Sequence, residues 1–474
     1  MIPRGLIEEI ISLGLTCGAD YAEVFLEDNT KTTITYDNGF IDDALTGQDY
    51  GAGIRLFKDT NIVYTFTNNL SKDNLLCITE KAAGCLQAPK QDASFSLVEG
   101  IALNRHRVLA VPSSVCIGEK VRHLERIYKA ARDYSTEIIK ASAKHWEMDR
   151  RRTIATSDGV VWSDRSVYTR VFINTVASNG IEHQTGFKRP GYVMGMEFYN
   201  NVDVETIAQE ASKTAVTLLH AREAPSGVMP VVLAKGGGGV FVHEAIGHAL
   251  ESVAISKGGA VYCDKLGKKV AHEKVTLIDD GTLPNQWGSI NVDDEGIAAT
   301  RNVLIDKGIL KNYIVDRMGS RIMGLPPTGS GRRESYRFAP VSRMTTTFFA
   351  PGPDSEEDII KSINYGFYAK EFGGGSGNWI TSDFDFTVLE GYIIRNGQIC
   401  EPCRNASLTG HAVDVLFEID MVGNDQGDFH QGMCGAASGS LPVGNHISQP
   451  PPSESGIVQL VVVCLLVMAL LLLG

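Results

Sequence analysis

The sequence predicts an α+β protein in which N-terminal α+β units are followed by a large, curved, mostly antiparallel β domain carrying one metal-binding helix. Three observations lead there. Apolar residues recur at helical spacing in a few separated segments, they alternate at strand spacing in many more, and short Asp-Gly, Asn-Gly and Asp-Lys-Gly turns join the strand-like runs. With 474 residues the chain is long enough for two or three cores. Composition shifts divide it into units at 1–90 and 100–224, a β-rich domain at 228–446, and a Pro/Ser spacer with an apolar tail at 449–474.

In the first unit Leu6, Ile10, Ile11 and Leu13 line one face of an opening helix, and Arg4, Glu8 and Glu9 interrupt any signal-peptide core. Four strands follow at Tyr21 to Phe25, Thr32 to Tyr36, Gly51 to Phe57 and Asn61 to Phe66, and a helix at Asp73 to Leu86 closes the unit. The second unit opens on a charged helix, Gly118 to Tyr134. Its strands turn at Ser157-Asp158-Gly159 and Ser178-Asn179-Gly180, and a helix from about Asp203 runs up to Pro225-Ser226-Gly227. The third region begins with the apolar strand Val228 to Ala234 and the loop Lys235-Gly236-Gly237-Gly238-Gly239. Strands then end at turns around Asp280-Gly281, Lys307-Gly308 and Asn396-Gly397, which points to a large antiparallel sheet.

The formal net charge of -12 argues against a protein that coats nucleic-acid duplexes, because such a surface needs a basic footprint. Nine scattered cysteines, an odd number without a regular framework, fit a reducing compartment and hence the cytoplasm. The end of the chain points the other way. Residues 457–474 are apolar apart from Gln459, and they read either as a C-terminal membrane anchor or as a disrupted terminus. Leu460 to Leu473 is short for a bilayer that needs about 20 residues, and no Lys or Arg flanks it.

The chemistry concentrates at His243-Glu244-Ala245-Ile246-Gly247-His248. Imidazoles bind zinc, and a carboxylate beside them can take a proton from a bound water, so Glu244 is the candidate general base of a hydrolytic metal site. The histidines lie five residues apart, not four. On a regular helix that is roughly 140° of rotation, so one ion can meet both rings only if the turn widens into a π-bulge or bends at Gly247. Two buried histidines bonded to backbone carbonyls would give the same residues. A zinc site also needs a third ligand, and Glu251, His272, Asp279, Asp280, His411, His430 and Cys434 all qualify by type. Asp293-Asp294-Glu295 could hold a hard cation but reads as a solvated acidic turn, and Cys400-Glu401-Pro402-Cys403 as an incidental pair.

The surrounding text resembles the TldD/PmbA family of zinc metallopeptidases, and its TldD-like, catalytic member. The resemblance rests on GVFVHEAIGHALE from Gly239, VTLIDDGTLPNQWGSINVDDEG from Val275, LIDKGIL from Leu304 and PTGSGRRESY from Pro327. It continues through FGGG from Phe372 and VGN from Val422 to Gly432-Met433-Cys434-Gly435 and Leu441-Pro442-Val443-Gly444. It implies that Cys434 joins His243 and His248 as the third Zn2+ ligand, and that Arg332, Arg333 and Glu334, in a block shared with the family, line the substrate groove or bind a peptide terminus. It also implies a peptidase acting on unfolded or small peptides, assembled with a PmbA (TldE)-like partner subunit. TldD-like chains continue past the Pro-Val-Gly turn into a glycine-containing strand, whereas here the pattern stops near Gly444. A non-catalytic assembly subunit and a membrane-tethered scaffold of the same fold are therefore the alternatives.

Overall fold

A computed structural model of the chain describes residues 2–93, 95–424, 430–447 and 461–469. It is an α+β protein built on three main sheets. The first has eight strands, and its spine is two long hairpins. Tyr21–Asp37 returns as Phe40–Lys58, Ile138–Thr156 returns as Val160–Ser178, and the hairpins pair antiparallel from Glu23↔Thr156 to Asp37↔Ser142. The first and second units therefore share one sheet. The runs expected at Tyr21 to Phe25 and Thr32 to Tyr36 are one continuous strand, because the polar residues between them stay paired on both sides.

Each turn has the residue its backbone requires. Gly159 and Gly180 hold φ of 91° and 89° at the two Asp-Gly and Asn-Gly reversals, a region closed to most side chains. Helices cover the sheet as their apolar spacing demands. Arg4–Thr16 buries Ile7, Ile10 and Ile11, Ile117–Arg132 buries Leu124 and Ile127, and Val204–Leu219 buries Ala208, Ala211 and Ala215. Each wholly buried Ile or Leu contributes roughly 1.5–3 kcal/mol relative to exposure. Asp203 caps the last helix by accepting from the Thr206 N–H at 3.0 Å.

The third region divides its strands between two sheets where one was expected. An eight-stranded sheet includes Gly227–Ala234, Tyr365–Gly377, Asp383–Arg395 and Ala406–His411, and a six-stranded sheet includes Leu277–Asp280, Thr346–Phe349, His430–Ala436 and Gly439–Ile447. Most pairings are antiparallel, but Gly227–Ala234 runs parallel to Tyr365–Gly377, and Thr346–Phe349 runs parallel to Gly439–Ile447. The segment carrying His243 and His248 packs against strands of both sheets, so elements distant in sequence converge on it.

The apolar tail does not form a membrane-crossing helix. Val461–Ala469 is a strand inside the eight-stranded sheet, antiparallel to Gly227–Ala234 on one side and to Ala406–His411 on the other. An uninterrupted apolar run suits a strand buried on both faces as well as it suits a lipid-facing helix. No helix among the described residues is long and apolar enough to cross a membrane. The expected spacer, like the ends of the 457–474 segment, falls in 448–460 and 470–474, outside the described residues.

Candidate metal centre

The strand Gly227–Ala234 delivers the chain through the glycine loop into a helical segment that changes pitch twice. Gly239–Phe241 is α-helical, Val242–Ile246 is π-helical and Gly247–Leu250 is a 3-10 turn. The widened π turn is the distortion that the five-residue spacing demands, and it brings the two imidazole rings to 4.9 Å between centroids. Glycines permit the close packing that holds this shape. A Cβ on Gly247 would fall 2.0 Å from the Met344 sulfur, and one on Gly377 would fall 2.2 Å from the Glu244 carbonyl oxygen.

His243, Glu244, His248 and Cys434 come together, with one donor atom from each lying within 4.8 Å of the others. Cys434 arrives on His430–Ala436, in register opposite Leu441, and its Sγ lies 3.2 Å from His248 Nε2. The Glu244 carboxylate is 3.6 Å from the same nitrogen. His243 is 1% exposed, yet neither of its ring nitrogens has a hydrogen-bond partner. Buried polar atoms are ordinarily satisfied, so two orphaned nitrogens facing a thiol and a second imidazole fit a cation-binding role. Burial, reinforced by His248, Arg343, His430 and Arg332, holds His243 well below the ordinary imidazole range, which keeps its lone pair available.

His248 is oriented from behind. Its Nδ1 lies 3.0 Å from the Glu251 carboxylate, the arrangement that fixes the tautomer of metal-binding histidines. Burial alone would lower His248, but Glu251 and Cys434 hold it well above its usual value. Burial raises Glu244, with Glu251 adding to it and His248 opposing, so its carboxylate is more basic than one in water. Arg343, 1% exposed, joins the two halves of the site. Its Nη2 donates to the Cys434 carbonyl at 2.6 Å, its Nη1 to the Gly439 carbonyl at 3.2 Å, and its Nε lies 3.9 Å from Glu251.

The other residues considered from the sequence have different duties. Glu251 orients the His248 ring. Asp279 accepts from the Thr345 N–H and from the hydroxyls of Thr345 and Thr347. Asp280 caps Thr282, His272 accepts from the Lys274 N–H, and His411 pairs with Asp383 at the surface. Arg332 and Arg333, expected in the substrate groove, are 3% and 0% exposed. Arg332 donates to the carbonyls of Met344 at 2.5 Å and Pro442 at 2.7 Å, and Arg333 pairs with Glu23 and donates to the Asp294 carbonyl. Both guanidiniums are committed within the protein, and Arg332 also lines a cavity of about 90 Å³ with Arg150, Asp294 and Met433. Asp293-Asp294-Glu295 is likewise buried, not solvated: Glu295 meets Arg55 at 2.7 Å and Asp294 meets Arg152 at 2.6 Å, while Asp293 accepts backbone N–H groups.

Glu251 had a sequence signal, since three residues after His248 on a helical turn places it beside that ring. Arg343 had none, because its partner Cys434 is 91 residues away.

Family models match most of the chain in order: residues 22–84 as PmbA/TldA metallopeptidase domain 1, 111–219 as the central domain and 226–443 as the C-terminal domain. The chain is 34% identical over 443 residues to the Metalloprotease TldD homolog of Buchnera aphidicola subsp. Acyrthosiphon pisum, covering 91% of this chain and 90% of that one. It is 26% identical over 439 residues to the Zinc metalloprotease TldD homolog of Saccharolobus solfataricus, covering 90% and 94%. The crystal structure of TldE from Thermococcus kodakarensis has the same fold, with a TM-score of 0.74 at 19% identity over 97% of this chain and 99% of that one. The three domain matches in sequence order, together with full-length kinship above 30% identity, make this chain a member of the PmbA/TldD family.

Proposed function

We propose that the protein is a zinc-dependent peptidase of the TldD kind, hydrolysing unfolded or small peptides in the cytoplasm in complex with a PmbA (TldE)-like partner. The observation that carries this reading is the buried His243 with two unpartnered ring nitrogens, facing His248, Cys434 and the Glu244 carboxylate. His243 Nε2 or Nδ1, His248 Nε2 and Cys434 Sγ would hold the ion. Bound zinc supplies Lewis acidity, polarising a peptide carbonyl and acidifying a water toward neutrality.

The chain's own residues do the rest. Glu244, made more basic by burial, takes a proton from the attacking water and hands it to the departing amine. Glu251 and Arg343 keep His248 and Cys434 aimed at the same point. Extended peptides can add to a sheet edge through main-chain hydrogen bonds, which binds without demanding sequence and excludes folded proteins. The complete donor set argues for this reading over a non-catalytic assembly subunit. The eight cysteines outside Val461–Ala469 are free thiols, in keeping with a reducing compartment.

The test is zinc stoichiometry and peptide cleavage with the partner present. Glu244→Ala should retain zinc and lose about 10²–10⁴-fold in kcat. Cys434→Ser should lose zinc as well. Undiminished cleavage by Glu244→Ala would remove the mechanism, and full zinc in Cys434→Ser would move the third ligand elsewhere.

A further inference from the structure

The strand that carries Cys434 begins beside two arginines from the first sheet and its edge. Arg170 Nη2 donates to the Gln431 carbonyl at 2.6 Å, and Arg189 Nη2 lies 3.1 Å from His430 Nε2. Arg170 is 1% exposed and stacks on Trp287 at 3.8 Å, while Arg189 lies against Phe187. The Nε of each guanidinium is buried without a partner, and neither forms an ion pair among the described residues. Arg55, Arg150, Arg152 and Arg333 each have a carboxylate at hydrogen-bond distance or in direct ion pair. Glu371, already paired with Lys188, is the carboxylate that acts on Arg189, and two adjacent guanidiniums without an ion pair of their own are costly to bury unless an anion joins them.

A groove of about 520 Å³ opens at Arg189. In a chain of net charge -12, its walls carry five Lys or Arg side chains against two Glu. Lys188 is paired with Glu371 and Lys370 with Glu390, whereas Arg189, like the exposed Lys213, has no ion pair among the described residues, and of these two only Arg189 carries a planar guanidinium. The groove also touches Gly236 and Gly237, which lead into the histidine turn, and His430 and Gln431, which lead to Cys434. Side chains at positions 430 and 434 share one face of the strand and stand roughly 13 Å apart along it.

We infer that this groove seats a carboxylate of the peptide substrate, with Arg189 gripping it and Arg170 supplying charge from behind. This rests on the peptidase reading above and names the class of peptide it favours. A guanidinium binds a carboxylate through two parallel N–H···O bonds, and Arg189 lines the groove with its Nε unpartnered. A peptide extended over that interval spans it in about four residues, so a C-terminal carboxylate at Arg189 places the cleaved bond about four residues from that end. A glutamate or aspartate side chain at the same position offers the same chemistry.

The experiment uses the zinc-loaded full chain with Glu244→Gln, which binds without turnover, and fluorescein-labelled alanine-rich hexapeptides read by anisotropy. Three ends are compared: a free C-terminal carboxylate, a C-terminal amide, and an amide preceded by glutamate. The free acid should bind about tenfold more tightly than the plain amide, the scale of one charge-assisted pair. Adding Arg189→Gln should bring that ratio to about one at unchanged zinc content. If the glutamate amide matches the acid, the groove accepts a side-chain carboxylate too, and if it matches the plain amide, the groove is specific for chain ends. Equal binding of acid and amide by the Arg189-containing protein overturns the inference without needing any variant at that position. Turnover by the wild type is measured separately: acid preference without cleavage of any peptide would defeat the peptidase reading alone, and cleavage without acid preference would defeat the groove alone.

Discussion

In the seam between the first sheet and the acidic turn, Glu23 is shared by Arg55 and Arg333, Glu295 meets Arg55, and Asp294 is held by Arg152. Every one of these buried side chains has an opposite charge in contact. At the histidine turn His243 is as deeply buried, at 1% exposed, yet neither of its ring nitrogens has a hydrogen-bond partner, while Glu244, 28% exposed, meets only the His248 ring at 3.6 Å. Both places hold buried atoms with unused bonding capacity, the Nε of Arg55, Arg152 and Arg333 among them, and what distinguishes His243 is that neither of its polar side-chain atoms has any partner. The seam fixes how the first sheet sits on the third region, while the histidine turn keeps donors in reserve for something the chain does not supply.

The sharpest way to break this comparison is His243→Leu. It should abolish zinc binding, measured by metal analysis, and cleavage with it, while the unfolding free energy of the zinc-free protein changes by no more than about 1 kcal/mol, because no internal bond is lost. A large loss of metal-free stability would show that His243 holds the fold instead. Arg333→Met tests the other side. Removing the Arg333 guanidinium leaves Glu23 with Arg55 alone and takes a donor from the Asp294 carbonyl, and should cost about 1.5–3 kcal/mol in denaturant unfolding, with zinc affinity of the folded protein unchanged.

Two smaller effects sharpen it. Glu251→Gln should weaken zinc binding about 10–100-fold by competition with a chelator, since it loosens the orientation of His248 and removes no ligand. The pH dependence of stability should report the seam. Burial alone would raise Asp294, but Arg150, Arg152 and Arg333 hold it down to about 2 against an ordinary value of 3.8. A depressed carboxylate stabilises the fold above its unfolded value, so this contribution should be present above about pH 3.8 and vanish as the pH falls through 2. Asp294→Asn should flatten the stability curve in that window.

What the sequence made legible followed from local rules. The hairpin turns at Gly159, Gly180 and Gly308 announced themselves through residues that tolerate positive φ, and the five-residue histidine spacing with Gly247 required a widened turn. Cys434 emerged only through family resemblance, since no local pattern ties it to a histidine 186 residues away. Arg332, Arg333 and the Asp293-Asp294-Glu295 turn read as surface or groove because their partners lie as far off as Glu23 and Arg55, and burial of a charge depends on such distant pairing. The apolar tail was ambiguous for a different reason. Composition records that a segment avoids water, and a lipid bilayer and a sheet interior satisfy that equally.

Val461–Ala469 emerges from the ribosome after every other described strand, yet its place lies between Gly227–Ala234 and Ala406–His411. The sheet behind the histidine turn therefore cannot close until that strand has been made. Until then both neighbours present open backbone edges to solvent, a state exposed to aggregation and slow to resolve because the pairing with Gly227–Ala234 spans more than two hundred residues. A chain with that strand disrupted would leave Gly227–Ala234, which leads into the histidine turn, without its antiparallel neighbour.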